Sequence, residues 1–292
     1  MRPLSTHILI VVLLVSLLSA AGAAQETGIS RGHHPWGCFQ EGTWKRVRVV
    51  TETFEENETL VSTTETRTTL QELTEEGVTL LVERVVEVGG KPIPSKPQTI
   101  TQGWYGELTS RDVKVSHLGA GEVAIQGLRI PCKIQQLEVS GPASKTTTKI
   151  YYSDTVEPFI LKRESVETDL EGTTRLGETT VEVMEVDVPC RILANIIRNS
   201  FHVKAVHKDP KGMTTTVAFT STRVPGGVIR HNSKQFDADG RLVRQSSLEL
   251  LDYGLEAAED RPGWLGHRRP ARIRPPRRFA PYRLEPLPDH RP

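Results

Sequence analysis

The stretch RGHHPWGCF sets His33, His34 and Cys38 close together. Imidazole and thiolate are the donors that hold zinc and its neighbours. Adjacent histidines point to opposite sides of an extended chain, however, and no further Cys/His cluster follows at a ligand spacing. The stretch therefore reads as a flexible lead into the first strand, with no metal. A second candidate chemistry joins Cys132 or Cys190 to His202, His207 or His231 as thiol and base. A nucleophilic thiol needs exposure and an electropositive setting, whereas both cysteines stand among Ile, Val and Leu. No Gly-x-Ser-x-Gly elbow, phosphate loop or His-Glu-x-x-His is present. The carboxylates of ETFEENE and ELTEEG are ordinary solvated turn charges. The expectation is a non-catalytic protein with no metal and no cofactor; these residues leave the location of any ligand site unknown.

Cys132 and Cys190 lie in near-copies of one phrase, LRIPCKIQ and VDVPCRIL. Two readings of them stand: a pair of small buried hydrophobes, or a Cys132–Cys190 disulfide. With three cysteines in the chain, disulfides are not the framework of the fold in either case.

The ends of the chain bound its setting. Arg2, an apolar run from Ile8 to Leu18 and the small residues Ala21 to Ala24 make a secretory signal over 1–24. The run is too short for a membrane span, so the mature chain is expected to be exported, periplasmic or extracellular, without a transmembrane segment. The net charge of +1 over 292 residues hides an asymmetry. From Arg261 to Pro292 the chain carries nine Arg, eight Pro and two acidic residues, so the part before it is net acidic. Such a tail cannot bury a core and is expected to be disordered over 255–292. Trp264, Ile273, Phe279 and Tyr282 are its candidate anchors. Its chemistry suits an anionic envelope polymer or an acidic protein face; for an exported chain nucleic acid is excluded as a partner.

Between lead and tail, residues 41–254 alternate with a period of two. In VTLLVERVVEV, Val78, Leu80, Val82, Val86 and Val88 share one face, with Arg84 as the exception, and Thr79, Glu83 and Glu87 share the other. TWKRVRVV turns Val47 and Val49 inward. Short polar links at 55–58, 75–77, 88–91, 119–122, 169–172 and 237–240 read as hairpin turns, which implies antiparallel connectivity. Only RILANIIRNSF, 191–201, has spacing that suits a helix as well as a strand.

The doubled Pro-Cys phrase belongs to a larger repeat, with units over about 119–187 and 178–254. Each holds the Pro-Cys strand, a Thr-Thr-Thr strand, a turn with Val and Pro, an apolar strand with a basic residue, an acidic-Gly turn and an alternating strand. A unit used twice lets neighbouring copies cover apolar faces. Pro131 and Pro189 should stand at strand starts, bulges or edges, and Pro225-Gly226-Gly227 should form a tight turn with positive φ. With aromatics at 5%, aliphatic side chains must line the sheet. If the sheet curves with nothing over it, that lining is an apolar trough; if the copies pack face to face, the trough vanishes.

GCFQEGTWKRVRVVTET, VTLLVERVVEV and VAFTSTRVPGGVIRHNSKQFDADGRLVRQSSLELLDYG resemble a family of uncharacterised secreted β-proteins of bacterial envelopes. The likeness covers most of 36–254 and is closest in the second copy; the first has Glu157-Pro158-Phe159 where Val-Pro-Gly-Gly would stand. By shape such proteins resemble the half-barrels of lipoprotein carriers, whose concave face holds acyl chains. The resemblance implies a mostly β fold, a curved antiparallel sheet with little helix, and an envelope setting; it brings no catalytic residues. The functional expectation is an exported β-protein that binds a lipid, another apolar ligand or an envelope partner on a concave sheet face. The alternative is a scaffold tethered by its Arg/Pro-rich tail.

Overall fold

The computed structural model describes residues 29–255 except 57, 89–90, 108–111 and 193–194. The signal expected over 1–24 and the tail beyond Leu255, with its four candidate anchors, lie outside the described residues. Fourteen strands make up nearly all of the described chain: β1 (Trp44–Phe54), β2 (Thr59–Leu73), β3 (Gly77–Val88), β4 (Lys91–Pro94), β5 (Gln98–Gly103), β6 (Asp112–Ile125) and β7 (Leu128–Ser140), followed by β8 (Ser144–Tyr152), β9 (Ile160–Asp169), β10 (Arg175–Ile192), β11 (Asn195–Asp209), β12 (Gly212–Thr220), β13 (Val228–Asp237) and β14 (Leu242–Gly254). The one helical element among the described residues is a 3₁₀ turn at Arg31–His33. Period-two alternation explains the strands: on β3, Val78, Leu80 and Val82 are buried while Arg84 is exposed. Of the stretch 191–201, open between helix and strand by pattern, residues 191–192 belong to β10 and 195–201 to β11, in keeping with its β-branched residues.

All strands join one antiparallel sheet in the order β4-β3-β2-β1-β14-β13-β12-β11-β10-β9-β8-β7-β6, with β5 also on β3. After β5, at one edge, the chain must reach β6, at the other. The link from Gly103 to Asp112 spans about 30 Å at full stretch, whereas thirteen strands laid flat are about 58 Å wide. The sheet therefore has to curl. Its inner face carries Val47, Leu250, Val183 and Ile150, and β6 bends far enough to contact β10. Among the described residues no helix is long and apolar enough to cross a membrane.

The repeat is written in the hydrogen-bond register. Lys133 pairs with Tyr152 as Phe201 pairs with Thr220, and Tyr152 pairs with Ile160 as Thr220 pairs with Val228. Each pair recurs 68 residues later, bulge included, since the register slips after Tyr151 and after Phe219. The connecting loops match as well. Ser153 N–H donates to Phe159 O and Phe159 N–H to Val156 O; Ser221 N–H donates to Gly227 O and Gly227 N–H to Val224 O. Glu157-Pro158-Phe159 thus closes its loop through the same hydrogen bonds as Pro225-Gly226-Gly227, and Phe159 shares the positive φ of Gly227, although Glu157-Pro158 is a cis peptide and Gly226 has φ +66°.

The Pro-Cys phrases are not part of this correspondence. Cys132 lies near the start of β7 and Cys190 near the end of β10; at the 68-residue spacing, the place of Cys132 is taken by Ser200. Both phrases record a local need, a proline near a strand terminus or bulge, for Pro131 stands early in β7 and Pro189 beside a register slip. The expected turn at 119–122 is corrected too: it lies inside β6, where a slip between His117 and Gly119, φ +96°, makes a bulge. The β6–β7 turn is instead Gln126-Gly127, both with positive φ, the signature of a two-residue hairpin loop.

The lead segment, expected to be flexible over 25–40, is from Ile29 onward a packed strap. Ile29 and Trp36 are buried, and contacts run from one side of the curl to the other. Ile29 N–H donates to Gln135 Oε1 on β7, Gly226 N–H donates to Pro35 O, and Trp36 packs on Leu70, Val78 and Leu80 of β2 and β3. The two copies do not pack face to face, and the strap covers one end of the inner face.

Candidate functional site

Under the strap lies a cavity of about 420 Å³. Its floor is the inner face of the sheet, where register places Val181 beside Arg163 and Val183 beside Val203, with Leu161 one step along β9. Its roof is the strap from Gly32 to Phe39 together with Trp104, Tyr105 and Gly106 of the β5–β6 link. The paired loops close its remaining sides through Phe159 and through Gly226-Gly227. Thr222 Oγ1 donates to Glu157 Oε2 at 2.7 Å and so ties one loop to the other.

The strap's histidines are pinned differently. His33 Nδ1 accepts Ser30 N–H at 2.8 Å, its Nε2 lies 3.4 Å from Asp154, and its ring meets Tyr152 and Phe159 edge-on. Burial holds its pKa below the usual value, with Asp154 opposing. His34 meets Trp104 edge-on and its Nδ1 accepts Trp36 N–H. Burial, and secondarily the nearby Arg163 charge, pull its pKa down to about 4. Lys45 Nζ donates to Gly226 O and stands over the Trp36 ring, and burial brings it to about 8. The β5–β6 link is fixed by Trp104 Nε1, which donates to Glu75 O at 2.7 Å, and by Tyr105 N–H, which donates to Glu107 Oε2 at 3.0 Å.

Of the residues singled out for chemistry, the structure assembles few. His33 and His34 diverge, Cys38 is exposed, and among the described residues no three His, Cys, Asp or Glu side chains gather around a metal-sized space. Cys132 and Cys190 are free thiols in separate hydrophobic clusters, so the disulfide is not formed; burial raises both pKa values. His202 stacks on Phe219, His207 bonds Thr179, and His231 is half-buried with a lowered pKa. Three functional features escaped the pattern reading: the strap, the β5–β6 roof and Arg163. Only Arg163 left a signal, because it alternates in phase with buried Leu161 rather than with Lys162 and Glu164.

No family model matches the chain, and no curated protein matches it. Several solved structures are similar to it, these three among them. One is a protein from Bacteroides fragilis described as exported with a YmcC-like fold (10% identity, 74% of this chain and 97% of that one, TM-score 0.30). Another is described as a lipoprotein of Parabacteroides distasonis (11% identity, 76% and 98%, TM-score 0.31). The third is described as an outer membrane lipoprotein-sorting protein domain of Vibrio parahaemolyticus (7% identity, 75% and 87%, TM-score 0.32). Likenesses of this depth say nothing of ligand or partner, which must be read from the cavity itself.

Proposed function

We propose that this chain is an exported, non-catalytic β-protein that holds one small apolar ligand between its curled sheet and its strap. The observation that carries the reading is the roofed cavity of about 420 Å³, floored by Val181, Val183, Val203 and Leu161. Small-molecule sites span about 300–1,000 Å³ and are mostly apolar with a few placed polar groups. The strap covers part of the site. The cysteines support the non-catalytic part of the reading, because burial disfavours the thiolate that nucleophilic chemistry needs.

Native mass spectrometry of protein purified without detergent, with uptake of a hydrophobic fluorescent dye, tests the proposal. A co-purifying amphiphile, or dye uptake competed by one, is expected. Protein that is empty and indifferent to the dye overturns it.

A further inference from the structure

Arg163 stands on the cavity floor with Ile150 and Val181 as its cross-strand neighbours and Leu161 beside it on β9. Ile150 and Leu161 are both 0% exposed. A guanidinium in such surroundings is costly unless an anion meets it. Among the described residues no carboxylate lies within ion-pair distance of it; Glu107 acts from farther off while its carboxylate accepts Tyr105 N–H. The loop backbone at Gly106, φ +84°, lies over the cation, and a Cβ there would come 3.7 Å from Arg163 Nη1.

The scaffold does not require this charge. At the equivalent place in the second copy, 68 residues on, stands His231, which pairs with Ala218 and Leu248 as Arg163 pairs with Ile150 and Val181. Partial burial lowers the pKa of His231. The same backbone position thus accepts an imidazole, and of the two residues it is Arg163 that lines the cavity.

We propose that Arg163 is the headgroup receptor of the cavity and that the ligand is a single-chain amphiphile ending in a carboxylate, of the fatty-acid class. This rests on the ligand-binding reading above and specifies its ligand. The planar guanidinium matches a carboxylate through two parallel hydrogen bonds, the apolar floor takes the chain, and about 420 Å³ holds one chain, not a two-chain lipid. His34, kept neutral beside Arg163, adds no competing charge.

Competition titrations on the full chain, delipidated and free of detergent, test this with laurate, methyl laurate and dodecyltrimethylammonium. Laurate is expected to bind at least about ten-fold tighter than its ester, the value of one charge-assisted contact, and the ammonium compound weakest. Arg163→Gln should bind laurate and the ester equally, and Glu107→Gln should tighten laurate several-fold with the ester unchanged. Equal affinity of the wild type for acid and ester overturns the headgroup assignment and leaves the cavity reading standing; so does an acid preference that survives Arg163→Gln. If none of the three compounds binds the wild type, both proposals fall. Should Arg163→Gln not fold, the wild-type ratio and Glu107→Gln still decide.

Discussion

The loops Ser153–Phe159 and Ser221–Gly227 close through the same hydrogen bonds and carry different side chains. In the first copy Phe159 and Arg163 are large and line the cavity; their counterparts Gly227 and His231 are smaller, though Gly227 lines it too. The reason lies above them. Pro35 and Trp36 of the strap press on the second loop so closely that a Cβ on Gly226 would come 2.9 Å from the Trp36 ring and 2.5 Å from Lys45 Nζ. Register is conserved between copies because backbone groups must all be paired. Side-chain size follows from what each loop meets on the strap: Tyr152 and Phe159 take the His33 ring edge-on, whereas Gly226 leaves room for Trp36.

The largest break in this comparison is to refill the second loop. Gly226→Ala places a Cβ at φ +66° against a ring pinned by Leu70, Val78 and Leu80. It should cost about 3 kcal/mol from left-handed backbone strain and overpacking together, read as a lowered urea midpoint. A loss below about 1 kcal/mol would mean the strap is not seated as described.

Next comes acid. The folded pKa of His34, about 4, lies below the ordinary 6.5, so unfolding takes up a proton between these values and stability falls as pH drops through that window. The integrated loss is about 2–3 kcal/mol, with His33 and His231 acting in the same direction. The wild type should lose its advantage over His34→Gln as pH falls from 6.5 toward 4; parallel stability curves for the two proteins would refute the assignment.

The smallest effect sharpens the comparison. Ser153 Oγ accepts the N–H groups of Thr155 and Val156, and Ser221 Oγ accepts that of Arg223 and donates to Asn199 O. Each serine changed to alanine should cost about 1–2 kcal/mol and the two costs should agree within about 0.5 kcal/mol. Unequal costs would show that the loops are alike in outline only.

Much of this fold was legible. Alternation found the inner faces of β1 and β3 because a one-residue slip would turn every buried valine outward. Acidic-Gly turns marked the β9–β10 and β13–β14 hairpins, where Asp169 and Asp237 each collect turn N–H groups and have lowered pKa values. The paired Pro-Cys phrases misled, since a proline beside a small hydrophobe suits many strand ends, whereas register depends on partners far along the chain. The strap was illegible for a related reason: no period governs a segment that packs crosswise over a sheet, and its contacts, such as Ile29 with Gln135, are all long-range. Arg163 was visible as a break in alternation, as Arg84 was, and nothing local separates the half-buried cation from the exposed one.

The seam between β1 and β14, which begins at Trp44 facing Gly254, joins the first described strand to the last. Until the ribosome has released nearly everything in between, the outer rim of β1 offers bare amides to any passing polypeptide, and the search for its rightful neighbour is a slow step. A nascent chain of this design needs shelter, by a holdase or by rapid collapse of β1–β3, for as long as its final hairpin is unfinished.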